Sequence, residues 1–271
     1  MVHRIQPMKA STISLLALML LSACRKDKAD EPAVDLDYTS ASDNARAEDV
    51  FSDMLAQVDK AVDANGLRDL CDPSVTFDTT GTPRTITLDF GAVNCTASNG
   101  RLRRGRILVS YTGRYRDVGT VITITPENYY VNDNLVQGTK TVTNLGPNGE
   151  GQLQFSVSVN GTLTAANGSW TATHVANRTR TWIAGQGTPG LADDVYLITG
   201  GGNGVNRNGQ TYTVSITNAL RVALDCPSIT QGTVQITPSG RPARTIDYGN
   251  GACDSSFTVS VNGQTFTVVI G

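Results

Sequence analysis

Five cysteines carry the sulfur chemistry open to this chain, and their surroundings divide them into two kinds. Cys24 closes the string Leu21-Ser22-Ala23-Cys24 behind an apolar run. Cys71, Cys95, Cys226 and Cys253 lie in β-rich sequence, and an even number of cysteines in an exported chain reads as disulfides. Zinc is the alternative, but no cysteine pair has the short spacing of a zinc knuckle; no metal and no cofactor are expected. Histidine is nearly absent, since beyond residue 23 only His174 remains. There is no Gly-x-Ser-x-Gly, His-Glu-x-x-His or phosphate-loop string either. The sequence points away from an enzyme, and a hydrolase built on a carboxylate pair is the catalytic alternative it leaves.

Two constellations suit binding better than reaction. Trp170-Thr-Ala-Thr-His174 and Arg178-Thr-Arg-Thr-Trp182 mirror each other about Ala176. A hairpin there would set Trp170 against Trp182, Ala172 against Arg180 and His174 against Arg178. That face is an aromatic and cationic platform for a sugar or anion, or more simply a tryptophan pair that fixes register. Arg101, Arg103, Arg104 and Arg106, with Arg114 and Arg116 across the next turn, could meet phosphates or acidic glycans. The plainer reading is a charged strand face that protects a sheet edge. Asp247-Tyr-Gly-Asn-Gly-Ala-Cys-Asp254 offers oxygens in a glycine-rich turn but lacks the alternating aspartates of a calcium loop. Asp89 and Asp247 are instead expected to accept hydrogen bonds from their own turns.

The elements that must position these residues are unevenly distributed. One amphipathic helix is expected over 43–64, where Val50, Phe51, Met54, Leu55, Val58, Ala61 and Val62 form a single apolar stripe. Ser42 or Asp43 would cap it, Asn65-Gly66 would stop it, and its stripe would pack on the protein's own sheet. Beyond residue 70 the alternation has period two. Asn-Gly, the strongest short hairpin signal, recurs at 99, 148, 160, 167, 203, 208, 250 and 262. Strands are expected near 84–90, 104–112, 118–125, 135–143, 151–159, 168–174, 178–184, 194–199, 209–217, 231–237, 243–248, 255–261 and 264–270. The fold class is mainly β: a large antiparallel meander sheet, as a sandwich or partly closed barrel, with one N-terminal helix.

A degenerate repeat lies inside it. Cysteine, Pro-Ser, a β-rich strand, Asp-aromatic-Gly and a second cysteine occur in that order from Cys71 to Cys95 and again from Cys226 to Cys253. Four cysteines allow three pairings, and if each copy is one unit the pairs are Cys71–Cys95 and Cys226–Cys253.

The N-terminus carries Arg4 and Lys9 and then an uncharged stretch too short to span a membrane. With Leu21-Ser22-Ala23-Cys24 it resembles the leader and lipobox of bacterial lipoproteins. That resemblance implies cleavage before Cys24, lipid on its sulfur and partnership with a membrane. Arg25 in place of aspartate implies the outer membrane, on its periplasmic face or at the cell surface. Asp27, Asp30 and Glu31 look like a surface-export signal, diluted by Lys26 and Lys28. The segments Arg101-Leu-Arg-Arg-Gly-Arg-Ile, Asn128-Tyr-Tyr-Val-Asn-Asp-Asn and Arg244-Thr-Ile-Asp-Tyr-Gly-Asn-Gly-Ala-Cys-Asp also resemble a family of uncharacterised Bacteroidota lipoproteins, over most of 70–271. That family implies localisation and class but no chemistry.

Three parts follow: a signal peptide over 1–23, a flexible tether over 24–41, and one β-rich domain over 42–271 with its helix at 42–66. Removing the leader takes two cations and no acids, so the net charge of −2 becomes −4. Nucleic acid is therefore not an expected partner. The expected function is non-enzymatic binding of an envelope component or protein partner, or carriage of a glycan or lipid in a cleft between helix and sheet. An exposed aromatic row would favour sugar and a deep apolar cavity lipid.

Overall fold

The computed structural model describes residues 34–62, 69–254 and 256–269. The expected helix stop at Asn65-Gly66 and the lipid-attachment site at Cys24 lie outside them. Among the described residues there is one helix, α1 (Thr39–Val62), and fourteen strands. The strands are β1 (Ser74–Asp78), β2 (Arg84–Asp89), β3 (Cys95–Thr96), β4 (Leu102–Tyr111), β5 (Val121–Val131), β6 (Asn134–Pro147) and β7 (Leu153–Thr164). The second half adds β8 (Thr171–Ala184), β9 (Val195–Val205), β10 (Thr211–Ala223), β11 (Gln231–Pro238), β12 (Arg244–Asn250), β13 (Ser256–Val261) and β14 (Gln264–Val269). The expected class holds: the protein is mainly β, with one large antiparallel meander sheet. Every strand pairs with its neighbour in sequence, except that β3 adds to the outer end of β4 beside β2.

The sheet is neither a sandwich nor a closed barrel, but it curls. Strands β7 and β13 are six places apart, which in a flat sheet would be roughly 29 Å. Yet Leu163 of β7 and Phe257 of β13 line the same small cavity against Val50 of α1. The sheet therefore wraps round the helix, leaving β1 and β14 unpaired with each other. Wrapping explains why polar Asp43, Asn44 and Gln57 are buried on α1 beside the apolar stripe.

Glycine sets how close the helix comes. A Cβ on Gly161 would lie 2.0 Å from the Phe51 ring, so only glycine lets α1 seat on β7. This corrects two expected turns. Asn160-Gly161 lies inside β7 and Asn203-Gly204 inside β9, where a Gly204 Cβ would meet the Tyr212 hydroxyl at 2.4 Å. Glycine there serves packing. Asn262-Gly263 is a true two-residue turn between paired Val261 and Gln264, both turn residues having positive φ.

Two further expectations are corrected. The strands expected at 168–174 and 178–184 are one strand, β8, with no hairpin at Ala176, so Trp170 and Trp182 are not a cross-strand pair. The helix starts at Thr39, and residues 35–41 are not a free tether. Asp37 Oδ1 accepts from Thr39 N at 2.9 Å, capping α1, while Arg244 on β12 donates to Asp35 Oδ2 and to the Asp37 carbonyl, both at 2.7 Å.

The repeat is a structural one. Cys71 bonds to Cys95 and Cys226 to Cys253, as the repeat implies. Asp89 Oδ1 accepts from Gly91 N, and Asp247 Oδ1 from Gly249 N, each at 2.8 Å, with both glycines at positive φ. The aromatic between them, Phe90 or Tyr248, turns inward onto Tyr129 or Phe257.

Candidate functional site

Period two decides which residues of β8 meet the helix. Ala172, His174, Ala176, Arg178, Arg180 and Trp182 are all even-numbered, and all are buried on the concave face. The symmetry of the sequence thus reflects one face of one strand. Arg101, just before β4, and Arg103, its second residue, follow the same rule, as does Lys140 on β6. The arginine cluster does not protect an edge, because β4 lies between β2 and β5. It divides by parity: Arg101 and Arg103 point inward, while Arg104 pairs with Asp133, and Arg106 with Glu127 at 3.1 Å, on the outer side.

The helix supplies the acids. Asp49 and Asp53 are one turn apart, and Glu48 and Asp59 are eleven residues apart, or three turns, so each pair shares a face. The first pair forms a closed latch. Arg101 Nη2 lies 2.6 Å from Asp49 Oδ2, and Arg103 donates to both Asp53 oxygens, by Nη2 at 2.7 Å and by Nε at 3.2 Å. Burial pushes both carboxyls up. Arg101 and Arg103 outweigh it at Asp53, which stays below the usual range, whereas Asp49 is left at about 6. Tyr129 is delivered beside this latch by a bulge at Asn128, whose positive φ shifts the inward parity of β5 from even to odd.

The second pair is looser. Arg178 donates to Glu48 Oε2 at 3.0 Å, and His174 Nε2 lies 3.5 Å from the same oxygen. Burial lowers the His174 pKa, which keeps the ring neutral at pH 7. Arg180 donates to the Tyr115 hydroxyl at 3.0 Å and stacks 3.4 Å over the Tyr196 ring. Its carboxylate, Asp59, stands 3.6 Å away, outside hydrogen-bond reach, and burial raises the Asp59 pKa. Lys140, 5 % exposed, donates to the Phe51 carbonyl at 2.9 Å. Among the described residues no carboxylate lies within ion-pair distance of Lys140, and burial lowers its pKa to about 8.

Two clefts flank this second group. One, of about 250 Å³, has Lys140, His174, Arg178 and Arg180 on its sheet side and Glu48 and Asp59 on its helix side. The other, of about 280 Å³, is apolar, formed by Val58, Ile86, Val109, Ile122, Trp182 and Tyr196 at the C-terminal end of α1. Its rim carries exposed Arg114 and Arg116, and Arg116 lies 4.6 Å over the Trp182 ring. Asp59 lines both clefts.

Of the residues singled out from sequence, the fold brings Arg101, Arg103, Arg178, Arg180 and Trp182 to the concave face. Arg106 stays outside, and Trp170 lies just before β8 with Arg207 stacked over it at 4.4 Å. Sequence reasoning missed Glu48, Asp49, Asp53, Asp59 and Lys140. Acids at helical spacing beside an apolar stripe, facing strands with bases at even spacing, were the signal. Among the described residues no group of three histidine, cysteine or acidic side chains could hold a metal, and no helix is long and apolar enough to cross a membrane. No family model, curated protein or solved structure matches the chain.

Proposed function

We propose that this is a lipoprotein anchored in the outer membrane through Cys24, and that its domain binds an amphipathic envelope molecule without chemically changing it. The carrying observation is the apolar cleft of about 280 Å³ between helix and sheet, opening to solvent past Phe77, Arg114 and Arg116. Lipid is favoured over glycan because the cleft's aromatics pack on one another: Trp182 is 3 % exposed and packs on Tyr115 and Tyr196, so its ring face is not open for a sugar to stack on. A non-enzymatic role is supported by the state of the acids. Asp49 and Asp53 are neighbouring buried carboxylates, and Arg101 and Arg103 are already ion-paired to them.

The binding test uses the purified soluble domain and an acyl chain brominated near its end. Trp182 lines the cleft, so binding there should quench tryptophan emission, and Trp182→Phe should abolish that quenching. Emission unchanged at saturating ligand would sink the reading. The anchor is tested separately: Cys24→Ala should move the protein from the membrane to the soluble fraction, and unchanged sedimentation would remove the lipid anchor.

A further inference from the structure

Lys140 is the residue the fold leaves unmatched. A buried ammonium is costly unless paired, and it has three donors to satisfy. Here the partner is one neutral main-chain carbonyl, that of Phe51. Its row on the sheet is low: Lys140 stands opposite Val159, and Val159 opposite Ala176, so small and medium side chains leave room beside the lysine. His174 and Arg178 flank Ala176 on the same face, and Arg180 follows. The nearby carboxylates are already divided. Glu48 serves Arg178 and His174, and Asp194 serves the Tyr196 hydroxyl at 3.3 Å. Asp59 acts electrostatically on both Arg180 and Lys140, its Oδ2 standing 3.6 Å from Arg180 with no donor at ordinary hydrogen-bond distance.

Asp59 also marks where the two clefts meet. It lines both, and the Arg180 guanidinium beside it touches Tyr115 and Tyr196, which belong to the wall of the apolar cleft. A chain lying in the apolar cleft would therefore end at Arg180, with Lys140 beyond. We propose that the ligand is a single-chain amphiphile with an oxyanion head, a carboxylate or phosphate, which takes the place of the Asp59 carboxylate between Arg180 and Lys140 while its tail fills the apolar cleft. This rests on the amphiphile reading above and adds the charge of the head. Arg180 supplies a planar pair of donors and Lys140 a point charge, a combination that holds an oxyanion more strongly than a neutral head. Asp59 is then a resident anion that the ligand must displace.

The experiment compares laurate, lauryl phosphate, neutral monolauroylglycerol, acetate and inorganic phosphate, each followed by calorimetry and by Trp182 emission at pH 7.4. The two anionic amphiphiles should bind about tenfold more tightly than monolauroylglycerol, the usual worth of a charged hydrogen bond. Lys140→Met should erase that advantage and leave monolauroylglycerol unchanged. Asp59→Asn should tighten laurate several-fold, because it removes the competing charge, and this opposite sign cannot come from loss of folding. Equal binding of anionic and neutral amphiphiles, insensitive to Lys140→Met, would overturn the oxyanion head and leave the amphiphile reading standing. Acetate or phosphate binding as tightly as the amphiphiles would overturn the coupling of head to tail. No binding by any acyl compound would remove both readings together.

Discussion

Two stretches of one helix meet the sheet through charge, and they meet it differently. At Asp49 and Asp53 two carboxylates face Arg101 and Arg103, and the pairs are hydrogen-bonded at 2.6 and 2.7 Å. Ten residues on, Asp59 stands off Arg180 by 3.6 Å, and Lys140 has a carbonyl in place of an acid. The first group is complete within the chain and serves to hold α1 in place. The second is incomplete within the chain and borders both clefts. Buried charge alone does not distinguish a clasp from a site. What distinguishes them here is whether each base already has its acid.

The largest break in this comparison is Arg103→Ala. It removes the bidentate partner of buried Asp53 and leaves only Arg101, at 3.2 Å, and the loss of one partner of a buried pair costs about 3–5 kcal/mol. Urea unfolding of the Cys24→Ala protein reads it directly, and a loss below about 1 kcal/mol would demote the latch to surface electrostatics. The matching change in the second group, Lys140→Met, should be neutral or stabilising, since burial outweighs the attraction of Glu48 and Asp59 at a charge with no carboxylate in ion-pair contact. Next in size are the clasps at the two repeats. Opening Cys71–Cys95 or Cys226–Cys253 with paired serines frees loops of 24 and 27 residues. Each should cost ~3 kcal/mol in the chain-entropy picture. Since Cys226 lines the charged cleft and Cys95 does not, only the second opening should also weaken laurate binding. Equal effects on binding would show that the cleft is insensitive to the loop beside it.

The fold was largely legible because sheet signals are local. Alternation, Asn-Gly turns and the Asp-aromatic-Gly repeat identified the class, and the repeat gave both disulfides. The misread hairpins have one cause, which is that a glycine or a symmetry can serve packing as well as turning. Asn160-Gly161 and the mirrored Trp170–Trp182 segment both look like hairpins, and both are strand interior. The helix fits so closely that Gly161 must lack a side chain, and one strand must present six inward residues to it in a row. The site was legible only by half. The bases on β8 announced themselves by spacing, but their acids sit on α1 more than 100 residues away in sequence, at 48–59 against 174–180. Which base lacks an acid is a property of the assembled pair of elements, and no local pattern carries it.

The smallest expected effect also separates the two groups, because their pH dependences have opposite signs. Asp49 has its pKa raised to about 6 by burial, so the folded state holds a proton that the unfolded chain has already lost. Its contribution to stability is present below the usual aspartate pKa and is lost as pH rises through 6. Lys140 runs the other way. Burial lowers its pKa to about 8, so the unfolded chain holds the extra proton above that value. Its contribution grows as pH rises from 8 towards the usual lysine pKa. Each amounts to roughly 1 kcal/mol over two pH units. Thermal unfolding of the Cys24→Ala protein, compared with the same protein also carrying Asp49→Asn or Lys140→Met, isolates each slope as a difference. Asp49→Asn should remove a decline between pH 5 and 7, and Lys140→Met a rise between pH 7 and 9. A Lys140→Met protein that tracks its parent across the upper range would mean that Lys140 already has a charged partner, and the distinction between clasp and site would fail at its central residue.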